Sequence, residues 1–281
     1  MKALRCCKIN FLQIRRNPKY VVFLLLMVLQ MWNLTADYGD YARAIGYPHI
    51  APWLLPGIVA FRQYYFFFLM TFLLLACDAP FRNAQQQLVI QRVGKRNWII
   101  GQLLFVLALS VGFTLLLWVL SWVFYLPMLE WTPSWGKVLR SSSVLQSAHF
   151  FAIPMSPDVM RNANGLEATL WSAAMQTMVC FFLGCTLLLF NLHGKGFVGF
   201  FLGTVFALMH YFLRSGLRMW RFPIWLTWFS PVSWIDRSMM GHSELGLPTF
   251  TYGACMICLL CAAEVILAVS TIQKCDIVTK E

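Results

Sequence analysis

Six long apolar runs, separated by segments that carry nearly all the charges, most constrain what this chain can fold into. The runs are residues 20–34, 61–77, 99–126, 166–192, 197–213 and 250–272. A helix needs about 20 mainly apolar residues to cross the hydrocarbon core of a bilayer. Because 59% of the 281 residues are hydrophobic, a water-soluble fold would have more apolar surface than it could bury. The sequence therefore predicts an all-α membrane protein, with six transmembrane helices in a single domain over residues 1–281.

The placement of basic residues predicts how the chain is oriented in the membrane. If both termini lie inside, the inner segments hold more than half of the 22 Lys and Arg residues, although they are the shorter part of the loops. Such an excess on the cytoplasmic side is usual for multi-pass proteins. We therefore expect a multi-pass protein of the plasma membrane with both termini in the cytoplasm. The net charge of +11 is explained by this topology, and no nucleic acid partner is expected.

Residues 1–19 combine basic and apolar side chains in a pattern typical of a helix lying on a membrane surface. Apolar residues such as Leu4 and Phe11 alternate with the charges, and basic side chains favour anionic lipid head groups. The alternative is a basic tail that only sets the topology. The predicted interfacial anchors to membrane lipid are Arg15, Arg16 and Lys19.

The inner segment 79–97 contains a predicted short helix with a polar surface. The sequence Asp-Ala-Pro at 78–80 can cap and start a helix, and Gly94 can end it. A helix of this kind suits docking of a soluble partner; the alternative is a solvated connector. The predicted apolar side comprises Phe81, Ala84, Leu88 and Gln91. The residues predicted to contact a partner are Gln85, Gln86, Gln87, Gln91 and Arg92.

Two outer segments are rich in aromatic residues. Residues 35–60 include Tyr38 and Trp53, and residues 214–249 include several tryptophans with Pro223 and Pro231. Tyr and Trp are enriched at the head-group level, so both segments predict interfacial helices. The prolines predict that the second segment is broken into re-entrant or interfacial helices before the last span, where we expect an outer gate. The predicted gate residues are Trp228, Phe229, Pro231 and Trp234.

Catalytic motifs are not evident in the sequence. There is no His-Glu-x-x-His, no Gly-x-Ser-x-Gly and no phosphate-binding loop, so we expect no enzyme and no cofactor in this chain. Cys255, Cys258 and Cys261 are spaced like metal ligands. No histidine is near them, and thiols pack well inside helical proteins. The prediction is therefore packing, with no metal site.

Glu264 is the one clear ionisable residue within a predicted span. Such a group costs about 2.5–3.5 kcal/mol near the bilayer centre on insertion scales, so it is a candidate functional residue. Gln176 or Thr177 on a neighbouring helix is the predicted polar partner. The alternatives are a glutamate near the inner end of the span, or a hydrogen bond that only fixes helix packing.

Two short motifs resemble a known family. Residues 92–102 read Arg-Val-Gly-Lys-Arg-Asn-Trp-Ile-Ile-Gly-Gln, similar to the R-x-G-[KR]-x-x-W-x-x-G-[KQ] entry into the third span of ABC-2 type permeases, the membrane subunits of ATP-binding-cassette exporters. Residues 229–235, Phe-Ser-Pro-Val-Ser-Trp-Ile, resemble the aromatic Ser-Pro segment after the fifth span of that family. The overall layout resembles the family over nearly the whole chain, with a shorter fifth span and a longer outer segment after the third.

The resemblance implies a partner ATPase. The inner helix would map to residues 83–92 as a coupling helix that docks on the ABC ATPase subunit, and ATP and Mg would bind there only. A second permease subunit, identical or different, would complete the substrate path. The aromatic composition suits an amphipathic substrate, such as a peptide, lipid-like molecule or drug, and antimicrobial peptide export is one such task.

Two other classes of protein stay open. One is a stand-alone polytopic membrane protein, acting as a channel-like pore or as a sensor or assembly factor, and the other is a membrane-embedded enzyme. A pore needs regularly spaced polar residues or rings of charge along its path, whereas an exporter permease needs a docking helix at its inner face. The sequence has the second feature and lacks the first. A separate ATPase encoded beside this chain would discriminate between these classes.

Overall fold

The computed structural model describes residues 2–15, 17–80, 84–144, 153, 155–219, 223–241 and 245–274, and helices dominate them. No β-strand occurs in these ranges; an isolated bridge joins Ile50 to Leu129. The α-helices are α1 (Lys2–Arg15), α2 (Lys19–Ala44), α3 (Leu55–Ala60), α4 (Arg62–Ala76), α5 (Ala84–Val93), α6 (Lys95–Val123), α7 (Gly136–Val144), α8 (Pro157–Asn162), α9 (Gly165–Leu192), α10 (Gly196–Met219) and α11 (Phe250–Lys274).

Five of the described helices are long and apolar enough to cross a membrane. They are α2, α6, α9, the Gly196–Leu213 part of α10, and α11. Helix α4 is apolar but has only 15 residues. The chain is therefore an all-α, multi-pass membrane protein, as the sequence predicts. The first predicted span, 20–34, is too short, because α2 continues to Ala44.

The long helices alternate in direction, which is shown by the order of contacts along neighbouring pairs. Two helices run parallel to α9: α4, with the contacts Tyr65–Gln176 and Phe72–Gly184, and α11, with Cys261–Met178 and Glu264–Thr186. Helix α6 runs antiparallel to α9, with the contacts Thr114–Thr177 and Val106–Gly184. Helix α10 runs antiparallel to α4, with the contacts His210–Tyr65 and Gly203–Leu73. Helices α4, α9 and α11 therefore run in one direction, and α6 and α10 run in the other.

Helix α4 has a buried face that packs chiefly against α10 and α9. Its side chains Tyr65, Phe68, Leu69, Phe72 and Leu73 are fully buried and belong to the larger of two hydrophobic clusters. A smaller cluster forms where the first half of α6 meets α9 and the end of α11. The buried face of α4 is therefore covered by protein, while its Phe67 side chain is 52% exposed.

Two aromatic side chains of the predicted interfacial segment, residues 35–60, lie inside the protein. Tyr38 and Trp53 are buried, and all six residues of α3 are buried as well. Their polar tips find internal partners: the Tyr38 hydroxyl donates to the Ile153 carbonyl at 2.9 Å, and the Trp53 indole N–H donates to Thr132 O at 2.6 Å. Tyr and Trp are tolerated in a core when such partners exist. This segment therefore forms part of the hydrophobic core.

The segment after α10 is broken, as its prolines predict. Helix α10 continues to Met219, and three short 3₁₀ helices follow at Ile224–Phe229, Pro231–Ile235 and Arg237–Met239. A proline starts the second of these, where its missing N–H costs no helical hydrogen bond. We call residues 224–239 the aromatic 3₁₀ segment.

Candidate functional site

Helix α5 forms the predicted inner helix and exposes part of its surface. Leu88 is 59% exposed, and Gln91 and Arg92 are also exposed. The half-buried side chains of Val89 and Ile90 pack against the smaller cluster instead. The predicted apolar side was therefore wrong for Leu88 and Gln91, because the residues next to Leu88 provide the contact with the protein.

Several residues of the predicted inner segment fall outside what is described. Phe81 lies in the undescribed range 81–83. Gln85, Gln86 and Gln87 belong to α5, and their side chains, like that of Ala84, are outside the described part of the chain. The exposed surface that the structure does describe consists of Leu88, Gln91 and Arg92, and we call it the α5 surface.

A single glycine separates α5 from α6. Gly94 has a φ of +85°, a left-handed conformation that favours glycine. Its N–H donates to Ile90 O at 2.8 Å, and the Asn97 side-chain amide donates to Val93 O at 3.0 Å. The predicted stop at Gly94 is confirmed. The predicted segment 79–97 was too long, because α6 already begins at Lys95.

The predicted helix within residues 1–19 is present as α1, which lies along the start of α6 and next to α5. Asn10 is buried, and its amide donates to the Gln102 side chain at 2.9 Å. The ring of Phe11 meets Phe105 edge to face, with centroids 5.1 Å apart. Gly101 leaves space for this approach, since a Cβ there would lie 2.6 Å from the Cys6 Cβ. In the sequence analysis Gly101 and Gln102 are only parts of a motif, and their contact with α1 is not predicted.

Of the three predicted interfacial anchors, the structure describes the side chain of Lys19 only. Lys19 forms an ion pair with Asp78, so its ammonium group faces a protein carboxylate. Asp78, a predicted helix cap, forms this ion pair, and residues 81–83 after it lie outside the described part of the chain. The side chains of Arg15 and Arg16 lie outside the described residues.

A group of buried polar side chains joins α4, α9, α10 and the aromatic 3₁₀ segment. The Tyr65 hydroxyl donates to Gln176 Oε1 at 2.6 Å, and the Gln176 amide lies 3.2 Å from Cys180 Sγ. The Tyr65 ring meets His210 edge to face, and His210 Nδ1 lies 3.4 Å from Ser233 Oγ. We call Tyr65, Gln176, His210 and Ser233 the outer polar cluster. Buried hydrogen bonds of this kind fix one arrangement of the helices.

Removing the hydroxyl of the outer polar cluster is expected to destabilise the protein. Tyr65→Phe leaves the buried Gln176 oxygen without its donor, which costs about 1–3 kcal/mol. The measurement is the free energy of unfolding in mixed micelles. Tyr64→Phe is the matched control: it removes a hydroxyl from a half-buried ring that stacks on Phe61, and it should change stability by less than about 0.5 kcal/mol. Equal losses in the two variants would contradict the role of Tyr65.

Glu264 has a different partner from the predicted one. Thr186 Oγ1 donates to Glu264 Oε1 at 2.6 Å, whereas Gln176 bonds within the outer polar cluster and Thr177 bonds to Thr114 at 3.1 Å. The register of α11 against α9 explains the change, because it sets Glu264 level with Thr186. The second carboxylate oxygen is buried and has no hydrogen-bond partner among the described residues. Glu264 is therefore an incompletely satisfied polar group deep in the structure.

The predicted gate residues do not form one surface. Trp234 and Pro231 are buried core residues, and the Trp234 indole N–H donates to Thr227 O at 2.9 Å. Trp228 is half-buried and packs against Tyr252, with centroids 4.6 Å apart. Phe229 alone is strongly exposed, at 66%. Trp228 and Trp234 therefore both contact the Tyr252 ring, whereas the Phe229 side chain is exposed at the surface.

The cysteines of α11 do not converge on one point. Cys255 and Cys258 are exposed, while Cys261 is buried and lies 3.5 Å from the Met178 carbonyl. Within the described ranges, no group of three His, Cys, Asp or Glu side chains is placed to hold a metal ion. The spacing of these cysteines therefore does not produce a shared ligand set.

No family model, curated protein or solved structure matches this chain. Its class follows from the described residues alone, which form an all-helical bundle with five helices long and apolar enough to cross a membrane. The chain is therefore a helical protein of the multi-pass membrane class.

Proposed function

We propose that this chain is the membrane-spanning permease subunit of an ATP-driven exporter of the ABC-2 type. It moves an amphipathic substrate across the plasma membrane, and a separate ATPase subunit supplies the energy. The observation that carries this proposal is the α5 surface: a short helix between two long bundle helices leaves Leu88, Gln91 and Arg92 uncovered.

The chemistry of the α5 surface suits a protein partner. An exposed leucine beside an amide and a guanidinium supplies an apolar contact with polar groups around it, which is the usual composition of a docking site. Arg92 can also pair with a carboxylate of a partner.

The attachment of α5 to the bundle suits the transmission of movement. Val89 and Ile90 pack against the smaller cluster, and Gly94 joins α5 to α6 without a flexible loop. A displacement of α5 therefore moves the start of α6. Helix α1 rests on the same part of α6 and moves with it.

The proposed topology has six spans: the five long apolar helices and the shorter helix α4. Helix α4 follows α9 from the level of Gln176 to that of Asn191, near the end of α9, so it reaches the same end of the bundle despite its 15 residues. Alternating directions then leave α1, α5 and the end of α11 on one side. The excess of basic residues in the inner segments makes that side cytoplasmic, where an ATPase carrying ATP and Mg and a second permease subunit would assemble.

Co-purification tests this function. The chain is isolated from its native membrane in a gentle detergent, and the preparation is analysed for a soluble subunit with ATPase activity. We expect an ABC ATPase in equal amount with the chain. A preparation that retains the folded chain and contains no ATPase would instead identify a stand-alone membrane protein.

Within this function, Glu264→Gln is expected to lower transport without lowering the amount of folded protein. The amide keeps an oxygen that accepts the Thr186 bond but removes the carboxyl group, and an ionisable group within a span is a candidate functional group. Thr186→Val, in contrast, removes a bond that is worth about 0.6 kcal/mol on average between membrane helices, so its effect on stability should be small. The measurement is substrate-stimulated ATPase activity of the complex with a panel of amphipathic peptides. Normal stimulation in Glu264→Gln would make Glu264 a packing residue.

A further inference from the structure

The segment that leads from α4 to α5 is held by a side chain from a distant helix. Asn191, in the last turn of α9, donates its amide hydrogens to the Cys77 carbonyl at 3.0 Å and to the Ala79 carbonyl at 2.6 Å. Carbonyls at and beyond a helix end have no partner within the helix. A side-chain amide has two N–H donors, and Asn191 uses one for each of these carbonyls.

The same segment is held from the other side by α2. Lys19 forms an ion pair with Asp78, and its ammonium nitrogen lies 3.9 Å from Cys77 Sγ. The side chains of Lys19 and Asp78 are only 25% and 35% exposed, so water screens the pair less than it screens a surface pair. Beside it, the Tyr20 hydroxyl donates to Leu75 O at 3.2 Å. We call Lys19, Asp78 and Asn191 the inner polar cluster.

The turn between α9 and α10 has the space that Asn191 needs. A Cβ at Gly196, the first residue of α10, would collide with Asn191 Oδ1. Glycine at this position therefore allows Asn191 to face the segment before α5. The Asn191 backbone carbonyl also accepts from the Gly194 N–H at 3.0 Å, so Asn191 lies against the turn that leads to α10.

The inner polar cluster also lies close to α5 along the chain. Four Cα–Cα steps separate Pro80 from Ala84, the first residue of α5, and they span at most about 14 Å. A shift of residues 77–80 therefore changes where α5 can lie. Gly94 joins the other end of α5 to α6, and Val89 and Ile90 pack against the smaller cluster, so the inner polar cluster acts on the end of α5 that begins at Ala84.

We propose that Lys19, Asp78 and Asn191 are positioning residues for α5, and that they pass its displacement to α2, α9 and α10. The consequence for transport rests on the proposed function, but the positioning of α5 does not. In an exporter, the inner polar cluster would connect one docking helix to three further helices besides α6. Loss of the cluster would leave α5 docked on the ATPase and disconnected from those helices.

The positioning of α5 is tested by hydrogen exchange on the purified full-length chain in lipid nanodiscs. In Asn191→Leu, exchange of the amides of residues 84–93 should rise at least about fivefold, the factor expected from one lost hydrogen bond of about 1 kcal/mol. Exchange in the middle of α9, around Gln176, should not change. Asn164→Leu, the same substitution at the opposite end of α9, is the control and should leave α5 unaffected. Unchanged exchange in α5, or a uniform rise along the chain, would overturn the inference.

A charge exchange tests the ion pair by rescue. Lys19→Asp alone should also raise exchange in α5, and the double variant Lys19→Asp/Asp78→Lys should restore it. A double variant that behaves like the single one would remove the ion pair from the proposal. In the ATPase complex, the amount of substrate moved per ATP hydrolysed should fall in Asn191→Leu while ATP hydrolysis continues. If no ATPase accompanies the chain, the proposed function fails and the exchange experiment still decides the positioning of α5.

Discussion

Replacing Gly101 with valine is expected to separate α1 from α6. A Cβ at this position would lie 2.6 Å from the Cys6 Cβ and 2.9 Å from the Ala3 backbone oxygen. Neither atom is at the end of a flexible side chain, so α1 itself has to move. The movement would break the buried hydrogen bond between Asn10 and Gln102, and overpacking of this kind costs about 1–3 kcal/mol.

The reactivity of Cys6 measures this separation. Its side chain is 2% exposed, and burial raises the pKa of its thiol above the ordinary value. Since the thiolate is the reactive form, a maleimide should label Cys6 slowly at neutral pH in the wild-type chain. In Gly101→Val we expect labelling to be about tenfold faster, the factor given by a 1.4 kcal/mol change within the overpacking range.

A second glycine of α6 provides the control. Gly112 lies in the same helix, and no atom is within 4 Å of a Cβ built there. Gly112→Val should therefore leave the labelling of Cys6 at the wild-type rate. Mass spectrometry of the Cys6 peptide gives the labelling rate in each protein. Equal rates in the wild type, Gly101→Val and Gly112→Val would contradict the contact between α1 and α6.

Placing negative charges on the α5 surface is expected to release the ATPase. The double variant Leu88→Asp/Arg92→Glu replaces the exposed apolar contact with a charge and inverts the guanidinium beside it. Central contacts of an interface are worth about 2 kcal/mol or more each, so we expect the affinity to fall at least about 30-fold. The folded chain should stay in the membrane, because both side chains are exposed and away from the core.

The stoichiometry of the purified complex checks this prediction. ATPase should co-purify in equal amount with the wild-type chain and be lost from the double variant. Lys195→Glu makes the same change of charge as Arg92→Glu, at an exposed position in the turn between α9 and α10, and it should retain the ATPase. Full occupancy in the double variant would show that the partner docks elsewhere.

The helices could be predicted from the sequence where local signals decide them. Apolar length predicts α6, α9 and α11, and a glycine after a short helical run predicts the end of α5 at Gly94. These signals lie within a few residues of the feature that they determine. The breaks after α10 are of the same kind, because proline acts on its own helix.

Features that depend on contacts between distant segments could not be predicted in this way. The side of α5 that faces the protein depends on where α1 and α6 lie, so Val89 and Ile90 were missed and Leu88 was wrongly placed. Tyr38 belongs to a segment whose aromatic composition suits the head-group level, and only the fold brings its hydroxyl to the Ile153 carbonyl. The partner of Glu264 depends on the register of two helices, which neither segment encodes alone.

The inner polar cluster shows the same limit. Lys19 is a predicted membrane anchor and Asp78 a predicted helix cap when each is considered in its own segment. Asn191 lies in the last turn of α9, and nothing in its own segment indicates a partner in residues 77–80. Their common role follows from the arrangement of α2, α4 and α9, which brings all three to residues 77–80.

The most direct test of the central claim, that α5 docks an ATPase, is site-specific photo-cross-linking in the native membrane. A photoreactive amino acid replaces Leu88, and in a second protein it replaces Leu267, which is exposed on α11. The account predicts that residue 88 forms an adduct with a protein whose peptides include a phosphate-binding loop, and that residue 267 does not. An adduct at residue 88 that contains no such protein, or the same ATPase adduct at both positions, would contradict docking through α5.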